Sequence, residues 1–357
     1  MSHINMIKPI PVVVDGNLYL NALSASLLGT MDPKDLIYQN TKPDVMLRGR
    51  GMVIKSFIVT FFKTIEDIRK KGYDVTNVCI VWDRKLKGKY KKTLLLDALN
   101  DGQTYKSDRK FASEEDLNNP DLTDTELKVL RAKLIQNTEF LEARKFLQEE
   151  LPKYGIPNIS SPGWEADDLD YIWGLETNKL GGTHIHCSGD SDWQYHLTND
   201  DILWQPSRGG KVYVKDVESV REKKKIPEGY GLMEWAAIEY ATLGSHNNLL
   251  RTVKPEIKRF TKKWRDKLYV DKDYSAVIGD MPRFTAQKKT FDILSFTGVD
   301  NIKELYKEML SMNPTSDPTE FLSLLNKVGV NSRDKSILKN KYSAYKSALL
   351  NSRLKQL

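Results

Sequence analysis

The stretch GWEADDLDYIW, residues 163–173, sets Glu165, Asp167, Asp168 and Asp170 within six positions of a chain whose formal net charge is +7. Two chemistries explain such a cluster. Asp and Glu in the first turn of a helix meet the positive end of its dipole, or the carboxylates hold something cationic. Further acids stand where strand-like runs end: Asp15 after VVV, Asp83 after CIVW, and Asp190 with Asp192 after HIHCSG. Each alone is an ordinary turn residue. In an open parallel sheet, however, the carboxyl ends of the strands lie together on the ligand-binding edge. Acids delivered there from several distant points repel one another unless a cation sits between them. Oxygen ligands without supporting His–Cys geometry favour Mg²⁺ or Mn²⁺ over zinc. Glu165 and Asp168, three apart, share a helical face. Asp170 falls on another side and is expected in solvent. His184 and His186 alternate along a strand and are expected as core or surface residues rather than ligands.

The elements that must position these acids follow from periodicity. IPVVVDG (Ile10 to Gly16) and NVCIVWD (Asn77 to Asp83) read as buried strands. Between them Phe57, Phe61, Phe62, Ile65 and Ile68 recur at helical spacing, predicting a helix over 52–71. The polar segment 94–122 reads as an irregular or mobile connection. A long amphipathic helix follows and ends at Gly155, with Pro157 beyond it. IPNIS, THIHCSGDSD and DILWQP are further strands, and KVYV an edge strand. After Val220 the chain turns mainly helical. Strands alternating with helices argue for an α/β fold, a mostly parallel central sheet flanked by helices, with a helical C-terminal region. The expected division is residues 1–220 for the core and 221–357 for a basic helical region.

Composition narrows the setting. With 40% apolar and 29% charged residues the chain reads as an ordinary globular protein, and no apolar run reaches the length of a membrane helix. Cys79 and Cys187 lie inside apolar strand-like runs, which predicts buried thiols in a reducing, cytoplasmic compartment. Between Trp204 and Val270, 15 Lys and Arg stand against 8 Asp and Glu, a surplus of 7 that matches the charge of the whole chain. A second basic run, Arg84, Lys85, Lys87, Lys89, Lys91 and Lys92, directly follows Asp83. A charge run alone is more often a solvated surface, but beside a divalent-metal site it suits a nucleic-acid backbone. Together these features point to phosphodiester hydrolysis.

VVVDGNLYLNA, VWDRKLKGKY, YKSDRK, GWEADDLDYI and CSGDSDWQYHL occur in an order that resembles the 5′-nuclease superfamily, the bacteriophage 5′-exonucleases and ribonuclease H enzymes above all. The likeness covers roughly 11–252. It implies a PIN-like nuclease core with a helical arch at about 84–122. By that resemblance Asp15, Asp83, Glu165, Asp167, Asp168 and Asp190 surround a first Mg²⁺ or Mn²⁺, with Asp192 leaning toward a second. Lys89, Tyr90, Tyr105, Lys106 and Arg109 take the positions of arch residues that grip the scissile phosphate or steer a single-stranded 5′ end, Lys89 and Arg109 as catalytic cations. Lys254, Lys258, Arg259, Lys262 and Lys263 offer a surface for duplex phosphates. The implied partner is DNA or an RNA–DNA hybrid with a 5′ end or flap, alongside replication proteins. The chain is expected to act as a monomer, in the host cytoplasm if phage-encoded.

One departure bears on activity. The superfamily carries G-D-x-x-D-N after its last core strands, whereas LGSHNNLLRT puts Ser245 and Asn248 at the two aspartate positions. Neutral oxygens hold Mg²⁺ more weakly than carboxylates. Two functions therefore stay open: a 5′-nuclease, or a nuclease-impaired factor that binds nucleic-acid structures without an intact second metal site. A haloacid-dehalogenase or Toprim site fits worse, and no P-loop is present.

Overall fold

A computed structural model describes residues 9–28, 43–97, 113, 115–178, 183–198, 200–206, 211–244, 249–311 and 317–354. Strand β1 (Pro9–Asp15) leads into helix α1 (Gly16–Leu28), followed by α2 (Pro43–Lys70), β2 (Asp74–Val81), α3 (Lys91–Asp97) and α4 (Asp124–Glu150). Then come β3 (Asn158–Ile159), α5 (Ala166–Asn178), β4 (Ile185–Cys187), β5 (Ile202–Pro206), β6 (Val212–Asp216), α6 (Val217–Lys224) and α7 (Leu232–Leu243). Short helices α8 (Lys262–Arg265), α9 (Tyr274–Val277) and α10 (Met281–Lys289) precede α11 (Val299–Ser311), α12 (Pro318–Lys327) and α13 (Ser332–Leu354). Among the described residues no helix is long and apolar enough to cross a membrane.

Among the described residues, six strands form one sheet in the order β3-β2-β1-β4-β5-β6, all parallel except β6, which pairs antiparallel with β5. Strand period two divides the core. Val12, Val14, Val78 and Ile80 face α2, α4, α12 and α13, whereas Val13, Cys79, Val81 and Leu203 face α5, α7 and α8–α11. All five predicted helix positions of α2, from Phe57 to Ile68, are buried. The C-terminal helices close the first face, where Phe321 stacks on Tyr342 with ring centroids 4.3 Å apart and both sit beside Phe62. Both cysteines are free and buried.

Local signals explain the boundaries. Helix α4 begins with a capping box, in which the Thr123 hydroxyl accepts from Glu126 N–H and the Glu126 carboxylate accepts from Thr123 N–H at 2.8 Å. The chain leaves the following 3₁₀ turn at Gly155, whose φ is 70°. Segment 94–122 is not irregular throughout. Its first residues complete α3, because the Leu-rich KKTLLLD buries Leu96 against Leu249.

Candidate metal centre

Register brings the strand-end acids together. Asp15 pairs with Val81 across β1 and β2, and Val14 pairs with Cys187 across β1 and β4. Asp83, two residues past β2, and Ser188, one past β4, therefore flank Asp15 on one sheet edge. Gly16 allows this close approach, because a Cβ there would lie 2.7 Å from the Trp82 ring. Asp15 is buried, accepting from Leu18 N–H at 2.9 Å and from the Ser188 hydroxyl at 2.8 Å. Burial, with the charges of Asp83 and Asp190 adding to it, pushes its carboxyl up to about 8.

Helix α5 starts at the same edge. The Asp83 carboxylate accepts from Ala166 N–H at 2.7 Å, which ties the end of β2 to the first turn of α5. Arg144 of α4 donates to the Asp83 carbonyl. Asp168 turns back to accept from Glu165 N–H at 3.2 Å, and one oxygen from each of Glu165, Asp167 and Asp168 lies within 4.8 Å of the others. The spacing argument thus holds for Glu165 and Asp168, both buried. The residue at the middle of this cluster is Lys92. Its Nζ lies 2.7 Å from Asp168 Oδ1, 3.3 Å from Glu165 Oε2 and 3.4 Å from Asp167 Oδ2, with the side chain 6% exposed. Burial still pushes the Asp168 carboxyl up to about 7, against the pull of Lys92 and with Asp167 and Glu165 adding to the rise. One ammonium does not neutralise the set, so it suits a further cation. Glu165, Asp167 and Asp168 are close enough to share one metal ion.

Asp190 caps the 3₁₀ turn Ser191–Tyr195. It accepts from Asp192 N–H at 3.0 Å, and its own N–H donates to Ser188 Oγ at 3.0 Å. Asp192 accepts from the Tyr240 hydroxyl of α7 at 3.1 Å. Lys89 is exposed in a turn closed by its mutual backbone bonds with Leu86. Tyr90 is half-buried, and burial together with Asp83 and Glu165 raises its hydroxyl. Lys258, Arg259, Lys262 and Lys263 are exposed and Lys254 is half-buried, on and before α8. Tyr105, Lys106, Arg109, Ser245 and Asn248 lie outside the described residues.

Two findings were not foreseen. Lys92 stood in the sequence as one member of a basic run, and only the start of α3, just after the Gly88 turn, marks it as a residue aimed back at the sheet edge. Asp170, expected in solvent, is fully buried. It lies on the face of α5 that packs on the sheet, where His186 Nδ1 and His196 Nδ1 each approach a different carboxylate oxygen at 2.6 Å. Burial would raise Asp170, but His186 and His196 hold it below the usual carboxylate range.

Neither known protein families nor curated proteins give a match to this sequence. Solved structures do. A bacteriophage T5 flap endonuclease, in a pseudo-enzyme–product complex with DNA and metal ions, superposes with a TM-score of 0.50 at 13% identity, covering 85% of this chain and 99% of that one. The chain shares the fold of this flap endonuclease. A bacteriophage T5 5′-exonuclease carrying divalent zinc ions gives a TM-score of 0.48 at 16% identity over 94% of this chain and 99% of that one. The catalytic core of Rad2 with a DNA substrate gives 0.41 at 17% identity over 92% and 91%.

Proposed function

We propose that the protein is a Mg²⁺- or Mn²⁺-dependent 5′-nuclease that hydrolyses phosphodiester bonds near the 5′ ends of DNA or RNA–DNA hybrids. The observation that carries the reading is the meeting of carboxylates from three parallel strand ends and one helix start, with Asp15 and Asp168 left proton-binding near neutrality. When bound, the metal would supply a nucleophilic water at neutral pH and a positive charge for the leaving oxygen. Asp83, Glu165, Asp168 and Asp190 would hold it, Asp15 and Asp167 would complete the set, and Asp192 would lean toward a second ion. Ser188 and Leu18 fix the rotamer of Asp15, and Ala166 N–H fixes that of Asp83. Lys92 holds Glu165, Asp167 and Asp168 together and would offer its ammonium to a substrate phosphate. Lys89, Tyr90, Tyr105, Lys106 and Arg109 would engage the 5′ end, while Lys254, Lys258, Arg259, Lys262 and Lys263 would contact duplex phosphates. The finer reading is a 5′–3′ exonuclease with flap or primer-removing activity, working in the cytoplasm.

Ser245 and Asn248 favour a second reading, in which the fold binds branched nucleic acid with little hydrolysis. The deciding experiment incubates 5′-labelled single-stranded, nicked and 5′-flap DNA with the protein in Mg²⁺, Mn²⁺ or EDTA. Metal-dependent release of short 5′ products supports the nuclease. Salt-sensitive binding without products in either metal would replace it with the binding factor.

A further inference from the structure

The face of the sheet covered by α5 carries a second polar cluster that the acidic edge does not use. His186 lies in β4 and His184 directly before it, Asp201 stands directly before β5, and all three are fully buried. His184 Nδ1 lies 2.8 Å from Asp201 Oδ1, its carboxylate partner, whereas its Nε2 has no hydrogen-bond partner among the described residues. The Nε2 edge of His184 is closed against α5, since a Cβ on Gly174 would lie 2.6 Å from it. Nδ1 is therefore the nitrogen turned toward Asp201. His186 gives its Nδ1 to Asp170, and its Nε2 has no partner either. The two rings lie 4.1 Å apart, and one donor atom from each of His184, His186 and Asp201 falls within 4.8 Å of the others.

A neutral imidazole always presents one N–H and one lone pair, so the unmatched, buried Nε2 of His186 is an open coordination position as much as a missing hydrogen bond. Two carboxylates, Asp170 and Asp201, are buried here, and no Lys or Arg pairs with either among the described residues. A dication would balance them. An imidazole that gives its other nitrogen to a carboxylate is the arrangement metal-bound histidines adopt, and Asp170 supplies it to His186.

We propose that His184 Nδ1, His186 Nε2 and an oxygen of Asp201 bind a structural transition-metal ion of the Zn²⁺ class, separate from the acidic edge. Borderline nitrogen donors select such an ion over Mg²⁺, whereas the acidic edge prefers the hard cation. The ion would tie β4 to the loop entering β5, and β4 runs on to Ser188 and Asp190. The site does not depend on the nuclease reading.

The test uses the full chain produced with zinc supplied, then washed with a chelator in excess Mg²⁺ so that the acidic edge is saturated. Metal analysis is expected to find about one zinc per chain, unchanged in the Glu165→Gln/Asp168→Asn variant and lost in His186→Asn. X-ray absorption on the zinc-loaded wild type is expected to show Zn–N distances of about 2.0–2.1 Å with imidazole scattering, which requires no variant to fold. A washed wild type without zinc, or zinc lost with Glu165 and Asp168 rather than with His186, would overturn the proposal.

Discussion

Replacing Asp15 with Asn isolates the electrostatic cost of the acidic edge. The Asn amide keeps both local bonds, since its oxygen still accepts from Leu18 N–H and the Ser188 hydroxyl can rotate to accept from the new N–H. What changes is ionisation. The folded carboxyl titrates at about 8 against an ordinary 3.8, so the native state holds a proton that the unfolded chain has released. Stability from this group is fully present below about pH 4 and is lost as pH rises through about 8, at close to 1.4 kcal/mol per pH unit. The ceiling is about 6 kcal/mol, and relaxation around a buried acid brings the expectation to roughly 3–5 kcal/mol. Urea unfolding in EDTA at pH 4.5 and pH 8 measures it. Asp15→Asn should match the wild type at the acidic end and exceed it by that amount at the alkaline end. Saturating Mg²⁺ should erase most of the difference, because a bound dication makes the ionised form the favoured one. Parallel stability–pH curves for the two proteins in EDTA would refute the reasoning.

Lys92→Met leaves Glu165, Asp167 and Asp168 facing one another without their ammonium. In EDTA it should cost on the order of 3–5 kcal/mol in a chemical melt, with Mg²⁺ restoring much of the loss, and a melt insensitive to Mg²⁺ would count against a shared site. Asp170→Asn replaces one of two acceptors shared by His186 and His196 with a donor. It is expected to destabilise by about 2–4 kcal/mol at a position sequence periodicity assigned to solvent, and a change within 0.5 kcal/mol, as for a surface site, would show the network to be dispensable.

Much of the architecture was legible because strand and helix periods differ. The β-branched runs around Val12–Val14 and Val78–Val81 are buried on both faces, and the Phe57 to Ile68 stripe could only be a helix packed on one of them. The strand-end acids were legible for the same reason, since parallel topology fixes which ends meet. Asp170 was not. Its position on α5 looked outward only if the acidic turn was the buried side, whereas α5 buries Asp168 at its start and Leu169, Asp170 and Trp173 along the sheet. Burial of a charge depends on partners, and His186 and His196 lie 16 and 26 residues away in sequence. Lys92 was hidden likewise, because one lysine in a basic run carries no sign of its direction until α3 and α5 are set side by side.

The central claim is that the acids of Asp15, Asp83, Glu165, Asp168 and Asp190 drive cleavage through a divalent metal. It is tested most directly by single-turnover cleavage of a 5′-labelled flap substrate across a Mg²⁺ titration, in the wild type and in Asp168→Asn, with substrate binding measured in parallel. Loss of a metal-holding carboxylate should cut the rate by at least about 100-fold, shift the Mg²⁺ midpoint upward and leave binding within a few-fold of wild type. Equal rates at every Mg²⁺ concentration would contradict the account.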